Sequence, residues 1–386
     1  MVWRNALKVL LAFGTRPEAI KMAPLVNELK RSSSLEVKVC VTAQHREMLD
    51  QVLKVFDITA DYDLDLMKKN QDLTDVTSQV LVGMRDVLSD AEPDIVFVHG
   101  DTTTTLGVSL AAFYKKIKVA HVEAGLRTGN IYAPWPEELN RKVAGCISGL
   151  HFAPTQTAKN NLINEGVAEG DVFVTGNTVI DALLSVVAEI NESDSLRKSL
   201  EEEFSFIDFD KKVILVTGHR RENFGDGFVQ ICEAIRDLAA RNDVEIVYPM
   251  HLNPNVRKPV QDILGTTGNI HLIEPQNYLP FIYLMTRSSI ILTDSGGIQE
   301  EAPSLGKPVI VMRNETERPE AVKAGTVKLS GPNKENIVGL ISKLLDDPSE
   351  YDSMSKATNP YGDGGACKRI RDFLCGDSPA EFVYNE

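Results

Sequence analysis

The stretch at residues 94–125 reads DIVFVHGDTTTTLGVSLAAFYKKIKVAHVEAG, a strand–helix–strand pattern. Two short apolar runs, DIVFVHG and KVAHVEA, lie on either side of a longer helical stretch. An acidic residue lies at the end of each run, Asp101 after the first and Glu123 after the second. Side chains at the carboxyl ends of parallel strands point into the crevice where open α/β sheets bind ligands. The stretch therefore predicts a parallel sheet with two carboxylates at its ligand-binding edge.

The same alternation of strands and helices runs through both halves of the chain. Near-continuous apolar runs suit strands that are covered on both faces, as in parallel sheets. Between them, the segments at 48–56, 75–88 and 228–240 carry helical spacing. The other strand candidates are LKVLLAF, VKVCVTA, LHFAP and VFVTG, followed by KVILVTG, EIVYPMH, NIHLIE, IILTDSG and PVIVMR. The pattern predicts an α/β fold.

Length and element order together predict two Rossmann-like, doubly wound domains that face a central cleft. A chain of 386 residues suits two to three domains. We expect the first domain, with the acidic residues, at residues 1–176, and the second, which binds the nucleotide, at residues 177–365. Residues 366–386 are expected to form a helix that packs back on the first domain, followed by a frayed tail.

Composition argues against several classes of function. A net charge of −14 disfavours a general nucleic-acid binder, which would show a basic face. No apolar run approaches the roughly 20 residues of a membrane helix. The N-terminal run flows into GTRPEA and is interpreted as a first strand, not as a signal peptide. The five cysteines are scattered without a CxxC pair, which favours reduced thiols and a cytoplasmic protein, and no zinc-binding spacing occurs.

The segment FGTRPEAIK follows the first strand candidate and is a candidate anion site. Gly14 permits a tight turn, and Pro17 fits the first position of a helix because its missing N–H is not needed there. Arg16 and Lys21 flank this helix start, where free N–H groups and the helix dipole favour anions. The alternative is a plain strand–helix turn with solvated cations.

The segment TDSGGIQEEAPSLGKP is a second candidate for phosphate binding. Ser295, Gly296 and Gly297 would form a helix N-terminus after a strand, and Glu301 could accept hydrogen bonds from ribose hydroxyls. The alternative is a glycine-flanked turn with a surface glutamate. The chain has neither GxxxxGK[ST] nor GxGxxG, so neither an ATPase P-loop nor a typical NAD site is supported.

Two histidines follow strand candidates of the second half. His219 lies in VTGHRREN beside Arg220, where an imidazolium could neutralise a leaving phosphate. His251 in PMHLNPNV occupies a comparable strand end. Either imidazole could instead be satisfied by the protein itself.

Two further candidates have strong structural alternatives. Glu137 in PWPEELNR could be catalytic, or it could form an i,i+4 helix pair with Arg141 while Glu138 pairs with Lys142. Phe281 is most simply a core aromatic, but it could stack on a nucleobase.

Long, specific strings occur along nearly the whole chain: FGTRPEAIKMAPL, TAQHREMLDQVL, VHGDTTTT, HVEAGLRTG, PWPEELNR, TGNTVIDAL, TGHRREN, HLNPNVR, TDSGGIQEEAPSLGKPV and RNETERPEAV. On these strings the chain resembles the non-hydrolysing UDP-N-acetylglucosamine (UDP-GlcNAc) 2-epimerases of bacteria and archaea. The resemblance implies the glycosyltransferase-B architecture of two Rossmann-like domains. It also implies interconversion of UDP-GlcNAc and UDP-ManNAc without NAD or metal, usually by a homodimer, in support of polysaccharide synthesis.

The resemblance also assigns roles to individual positions. Asp101, Glu123 and Glu137 match the acidic residues that transfer protons, and His219 is expected to assist departure of UDP. The positions that match UDP-binding residues are Arg16, Lys21, His219, Gln276, Phe281, Ser295, Gly296, Gly297, Glu301 and Arg318. In some bacterial members a second UDP-GlcNAc binds as an activator, at positions that match Gln44, Gln71, Glu137, Arg220 and His251. Asn70 departs from that pattern, because some of those members carry Arg there.

Two other functions would use similar parts. A retaining glycosyltransferase of the same architecture would need an acceptor, and it would not need the three carboxylates. A non-catalytic nucleotide-sugar sensor could dispense with those carboxylates, yet all three are present.

Overall fold

The structure of the protein is a computed structural model that describes residues 6–43, 46–67, 70–218, 220, 223–265 and 267–384. The chain divides into two units. One contains the described residues up to Ala182 and those from Tyr361 onward, and the other contains Leu183–Pro360. The predicted domain boundaries lay at residues 176 and 365.

The described part of the first unit forms a seven-stranded parallel sheet in the order β3-β2-β1-β4-β5-β6-β7. Its strands are β1 (Leu7–Phe13), β2 (Leu35–Val41), β3 (Tyr62–Asp63), β4 (Ile95–His99), β5 (Lys118–Val122), β6 (Leu150–Ala153) and β7 (Val172–Val174). Its helices are α1 (Arg16–Lys30), α2 (Arg46–Val55), α3 (Leu73–Ala91), α4 (Thr103–Tyr114), α5 (Glu137–Ile147) and α6 (Gln156–Asn164). Helix α7 (Thr178–Glu192) spans the boundary between the units.

The described part of the second unit forms a six-stranded parallel sheet in the order β10-β9-β8-β11-β12-β13. Its strands are β8 (Lys212–Thr217), β9 (Val244–Pro249), β10 (Ile270–Ile273), β11 (Ile290–Thr293), β12 (Val309–Val311) and β13 (Val327–Leu329). Its helices are α8 (Asp194–Glu203), α9 (Asp226–Ala239), α10 (Pro254–Leu264), α11 (Tyr278–Arg287), α12 (Gly296–Glu301), α13 (Pro319–Lys323), α14 (Lys334–Asp346) and α15 (Pro348–Ser355).

Each sheet has one point where the strand order reverses. In the first unit it lies between β1 and β4, and in the second between β8 and β11. Loops at the carboxyl ends of such strand pairs form the usual ligand crevice of an open α/β sheet. The predicted α/β class with two Rossmann-like, doubly wound domains is therefore confirmed, and its switch points carry the predicted site segments.

The C-terminal part of the chain returns to the first unit as helix α16 (Ala366–Leu374), which packs against α1. Phe373 of α16 contacts Phe173 of β7, with ring centroids 4.1 Å apart. Beyond the helix, the Phe382 N–H donates to the Val174 carbonyl at 2.8 Å, and Glu381 pairs with Lys159 at 2.9 Å. These bonds attach residues 381 and 382 to the edge of the first sheet.

Membrane insertion through a helix finds no support in the part of the chain that the structure describes. No helix there combines the length and the apolar content that a membrane crossing requires.

Attachment of α16 depends on a buried carboxyl group and should be sensitive to pH. Asp181 of α7 accepts hydrogen bonds from the Cys367 and Ala366 N–H groups at 2.9 and 3.2 Å. Burial raises the pKa of Asp181 to about 6, so the folded state holds the proton more tightly than the unfolded chain does. The resulting stabilisation, roughly 3 kcal/mol, is complete below about pH 4 and is lost as pH rises through 6.

We therefore expect the thermal midpoint of the wild type, measured relative to Asp181→Asn, to fall by several degrees between pH 4 and pH 7. Asp363→Asn is the control, because Arg369 lowers the pKa of Asp363 below its ordinary value, so its difference from wild type should stay nearly constant between pH 4 and pH 7. A difference between wild type and Asp181→Asn that stays constant with pH would contradict the prediction.

Candidate active site

Asp101 follows β4 in a turn that glycine makes possible. Gly100 has φ of +64°, a left-handed conformation that glycine adopts without strain. The Arg141 guanidinium donates to Asp101 Oδ2 through Nε at 2.9 Å, and its Nη2 lies 2.6 Å from the same oxygen as an ion pair. Burial raises the pKa of Asp101, Arg141 opposes that rise, and the charge of Glu123 adds to it. Asp101 is therefore a desolvated carboxylate with a cation and a second carboxylate nearby.

Glu123 follows β5 with a backbone that is strained for a residue with a side chain. Its φ of +59° lies in the left-handed region, which rarely holds residues other than glycine, asparagine and aspartate. Its Oε2 accepts hydrogen bonds from the Lys21 ammonium and from Asn177 Nδ2, the latter at 2.8 Å. Strained backbone of this kind concentrates at functional sites, which supports a functional role for Glu123.

Lys21 and Asn177 change what the sequence indicated about this carboxylate. The sequence assigned Lys21 to the nucleotide, and within the first unit its ammonium also pairs with Glu123. Asn177 lies in the string TGNTVIDAL, which supported the family resemblance, but its side chain was not singled out. The buried His99 ring lies 3.8 Å from Glu123 Oε2, and burial lowers the pKa of His99 to about 4. His99 is therefore neutral near pH 7.

Helix α5 carries two adjacent glutamates, Glu137 and Glu138, and the ion pairs predicted for them can be compared with the structure. The predicted helix pairs Glu137–Arg141 and Glu138–Lys142 are not among the ion pairs of the described residues. Arg141 instead bonds Asp101 and Glu138, and Lys142 lies 3.9 Å from Glu165. The alternative in which Glu137 forms an i,i+4 ion pair with Arg141 is therefore wrong.

The environments of the two glutamates also differ. Glu138 is fully buried and accepts from the Thr128 and Gly129 N–H groups, each at 3.2 Å, and from Arg141 at 3.0 Å. Glu137 Oε2 is also buried, yet it has no hydrogen-bond partner among the described residues. A buried polar atom without a partner needs an explanation, and a bound ligand would provide one.

Glu18 connects the start of α1 with the Asp101 turn. Thr15 caps the helix and forms a capping box with the buried Glu18, whose carboxylate accepts from the Gly14 and Thr15 N–H groups at 3.1 and 2.8 Å. The Thr102 hydroxyl donates to the same carboxylate at 2.7 Å. Arg16 is thus held as the first residue of a capped helix, and Pro17 is the second.

Gly14 is required for close approach, which is a different reason from the predicted tight turn. A Cβ at residue 14 would lie 2.0 Å from Thr42 Oγ1 and 2.5 Å from Thr104 Oγ1. These two hydroxyls hydrogen-bond each other at 2.8 Å beneath the loop. Any larger side chain at this position would separate the loop from the sheet.

In the second unit, Asp294 couples the loops at the switch point. It is completely buried and precedes the predicted Ser295–Gly297 segment. Its Oδ2 accepts from the Arg220 N–H at 2.9 Å and from Asn223 Nδ2 at 3.4 Å. This role of Asp294 was not predicted from the sequence. The feature that could have indicated it was the position of Asp294 directly after a strand and shortly before two glycines.

The predicted phosphate-binding segment begins helix α12. Ser295 is the N-cap of this helix, and its side chain makes no capping hydrogen bond. A Cβ on Gly296 would lie 2.9 Å from Glu317 Oε1, the end of an exposed side chain that would have to move aside. Gly297 is the second residue of the helix.

The other predicted ligand residues of the second unit have identifiable neighbours. Glu301 is buried and accepts from the Tyr278 hydroxyl at 3.0 Å, and Arg318 forms an ion pair with the buried Glu300. Gln276 donates to the Glu274 carbonyl at 2.8 Å. Phe281 is half-buried on α11, so it does not belong to the fully buried core.

The residues matched to the activator site are divided between the two units. Gln71, in the first unit, donates to the Leu66 carbonyl at 2.9 Å. In the second unit, Arg220 Nη2 lies 3.4 Å from Glu317, and the exposed His251 accepts from the Asn253 N–H at 3.1 Å. Gln44 and His219 lie outside the described residues.

Among the residues that the structure describes, histidine, cysteine, aspartate and glutamate form no group of three or more that could hold a metal ion.

Comparison with known proteins identifies close relatives. Residues 27–375 match a family described as UDP-N-acetylglucosamine 2-epimerase. The UDP-N-acetylglucosamine 2-epimerase of Escherichia coli (strain K12) is 61% identical over 369 residues, which are 95% of this chain and 98% of that protein.

Solved structures agree over similar lengths. The UDP-GlcNAc 2-epimerase from Neisseria meningitidis bound to UDP-GlcNAc is 56% identical, with a TM-score of 0.89 over 96% of this chain and 100% of that chain. The Methanocaldococcus jannaschii UDP-GlcNAc 2-epimerase in complex with UDP-GlcNAc and UDP is 34% identical, with a TM-score of 0.79 over 96% of this chain and 100% of that chain.

The contrast between Glu138 and Glu137 leads to a stability prediction. Glu138→Ala would remove the buried acceptor of two backbone N–H groups and of Arg141, which should cost roughly 2–4 kcal/mol. Glu137→Ala removes a carboxylate without protein partners among the described residues, and should change stability by less than about 1 kcal/mol. Thermal midpoints of the two variants test this, and equal losses would contradict the separate roles.

Proposed function

This chain belongs to the UDP-N-acetylglucosamine 2-epimerase family and is an isomerase, and from that premise we propose how it acts on its substrate. It converts UDP-GlcNAc reversibly to UDP-ManNAc by eliminating UDP to a 2-acetamidoglucal and adding UDP back. The observation that carries this proposal is the placement of Asp101 and Glu123 at the ends of the adjacent strands β4 and β5, together with the partnerless oxygen of Glu137.

The chemistry of C2 explains why elimination is favoured. The C2 hydrogen of UDP-GlcNAc has no adjacent carbonyl, so direct deprotonation would leave a poorly stabilised carbanion. As the anomeric C–O bond breaks, positive charge develops at C1 and acidifies C2–H. Loss of UDP and of this proton gives the glucal. Re-addition of UDP, with protonation on the opposite face, then inverts C2.

This sequence of steps requires two proton-transfer groups and a hold on the pyrophosphate. Asp101, Glu123 and Glu137 are proposed as the proton-transfer groups. Lys21 supports the charge of Glu123, because its ammonium bonds that carboxylate directly. His219 is proposed to stabilise the departing UDP, an assignment that rests on the sequence alone.

The nucleotide is proposed to bind through the residues that the family resemblance assigns to it. Arg16 lies at the capped start of α1, and Ser295, Gly296 and Gly297 lie at the start of α12. Free N–H groups at helix starts favour phosphate oxygens. Glu301 would accept hydrogen bonds from ribose, and Phe281 and Gln276 would contact the base. The remaining ligand residues proposed from the family are Lys21 and Arg318.

Assembly and biological role are proposed as well. We propose a homodimer, because Val82 of α3 and Phe113 and Tyr114 of α4 are 53%, 58% and 65% exposed. Exposed apolar side chains on neighbouring helices favour association. A monomer in analytical ultracentrifugation would contradict this assembly. A cytoplasmic role in ManNAc-containing surface polysaccharide synthesis is checked by cell fractionation and by glycan analysis of a deletion strain.

Incubation with UDP-GlcNAc alone in D2O tests the reaction. We expect UDP-ManNAc with deuterium at C2, because the proton removed in the glucal step exchanges with solvent. No NAD or metal should be required. UDP-ManNAc without deuterium would rule out exchange and indicate direct hydride transfer. Absence of product without an acceptor would favour a glycosyltransferase or a sensor.

Substitution of the carboxylates tests their roles separately. Asp101→Asn and Glu123→Gln should each lower kcat by roughly 10²–10⁴, the scale of a general acid or base. UDP affinity, measured by calorimetry, should change little. Glu137→Gln should also lower kcat, because the competing helix pair is not formed. Near-normal turnover in any of these variants would exclude that carboxylate from proton transfer.

A further inference from the structure

The turn that presents Asp101 is held by side chains from several elements. The carbonyl of His99 accepts from Thr105 Oγ1 at 2.5 Å, and the carbonyl of Gly100 bonds His121 Nε2 at 2.7 Å. The carbonyl of Asp101 accepts from Asn140 Nδ2 at 2.8 Å. Three successive peptide groups are therefore fixed, so the Asp101 backbone has little freedom.

Helix α5, which bonds the Asp101 carbonyl through Asn140, also bonds the Asp101 side chain. Arg141 follows Asn140 on α5, its Nε–H donates to Oδ2 of Asp101 at 2.9 Å, and its Nη2 lies 2.6 Å from the same oxygen. No hydrogen bond between described residues engages the other oxygen, Oδ1. Arg141 therefore holds the carboxylate through Oδ2 and leaves Oδ1 available to a substrate.

Arg141 is itself anchored from behind. Its Nη1 donates to Glu138 Oε2 at 3.0 Å, and Glu138 is fully buried and bonded to two backbone N–H groups. The side chain of Arg141 is only 14% exposed. A guanidinium held at both ends in this way has little freedom to release Asp101, and its planar fork fixes direction as well as distance.

We infer that Arg141 is a positioning residue for Asp101, which orients Oδ1 toward the reacting carbon while Glu138 anchors the guanidinium. The inference rests on the proposed epimerisation, in which Asp101 transfers a proton. Helix α5 would then have two functions, because it begins with Glu137 and also positions Asp101 through Arg141. Glu137, Arg141 and Asp101 would therefore shift together if α5 moved.

The charges around Asp101 fix the sign of the expected effect. Arg141 on α5, Glu123 after β5 and Lys21 on α1 are the charged groups that act on it. Burial and Glu123 raise the pKa of Asp101, while Arg141 and Lys21 lower it, Arg141 more strongly. Without Arg141 the pKa of Asp101 rises further. The limb of the pH–rate profile that reports Asp101 therefore moves to higher pH, whether Asp101 acts as acid or as base.

The test compares Arg141→Met with Arg141→Lys and with the neighbouring control Lys142→Met. Methionine removes both the grip and the charge, so we expect kcat to fall by about 10² with KM changed less than about threefold. The pH limb should move to higher pH, because the lowering effect of Arg141 on the pKa of Asp101 is lost. Lysine keeps the positive charge but lacks the planar guanidinium group. The kcat should therefore fall, while the limb of the pH–rate profile that reports Asp101 stays near that of the wild type.

Lys142→Met should behave as wild type, because Lys142 is 44% exposed and lies 3.9 Å from Glu165. Wild-type kcat and an unshifted limb in Arg141→Met would overturn the inference. Reduced kcat with an unshifted limb and a lowered thermal midpoint would also overturn it, in favour of a structural role. If Arg141→Met does not fold, Arg141→Lys decides, and unchanged kcat in that variant would refute positioning.

Failure of the proposed function itself would look different. In that case the wild type and Lys142→Met would both leave UDP-GlcNAc unconverted.

Discussion

Burial of charge at the ends of parallel strands is the constraint on which the rest of this site depends. A sheet covered on both faces removes water from the loops at its carboxyl edge, and a carboxylate there is costly unless it is paired and hydrogen-bonded. Asp101, Glu123 and Glu138 each meet this requirement with partners from other elements. The loops of the candidate site are therefore held in place by the hydrogen bonds and ion pairs that their buried carboxylates require.

Both units use a buried acid to join two loops at the switch point. In the first unit Glu18 bonds the start of α1 and also Thr102 of the Asp101 turn. In the second, Asp294 bonds the backbone of Arg220 and also Asn223, from its position just before α12. Loops that are bonded to each other hold a fixed spacing, which is what a site for a pyrophosphate and a sugar requires. Prearranged groups of this kind need no reorganisation when charge develops in the reaction.

Glu123 and Asp101 show how neighbouring acids can acquire different roles. Both follow strands of one sheet, but Glu123 bonds an ammonium and an amide, whereas Asp101 bonds a guanidinium. In the proposed reaction, proton transfer on two faces of the sugar requires two groups that do not behave identically, and different partners would provide that difference. Glu137 contributes a third carboxylate from a helix start, where no protein donor among the described residues engages its buried oxygen.

The sequence by itself determined eleven of the thirteen strands of the described residues, the α/β class and the positions of Asp101 and Glu123, because these follow from local apolar runs and from what comes next in the chain. It did not reveal β3 and β13, which are short strands at the sheet edges. Strings such as TDSGGIQEEAPSLGKP also indicated the family. Only the tertiary structure decided the partners. Asp101 meets Arg141 across 40 residues, Glu123 meets Lys21 across 102, and Asp294 meets Arg220 across 74. The helix pair between Glu137 and Arg141, which was the alternative to a catalytic Glu137, is not formed for the same reason. A nearby partner on an exposed helix gains a few tenths of a kcal/mol, whereas a distant buried carboxylate without its cation costs several. Periodicity cannot reveal such distant pairs, because they depend on which strands become neighbours in the sheet.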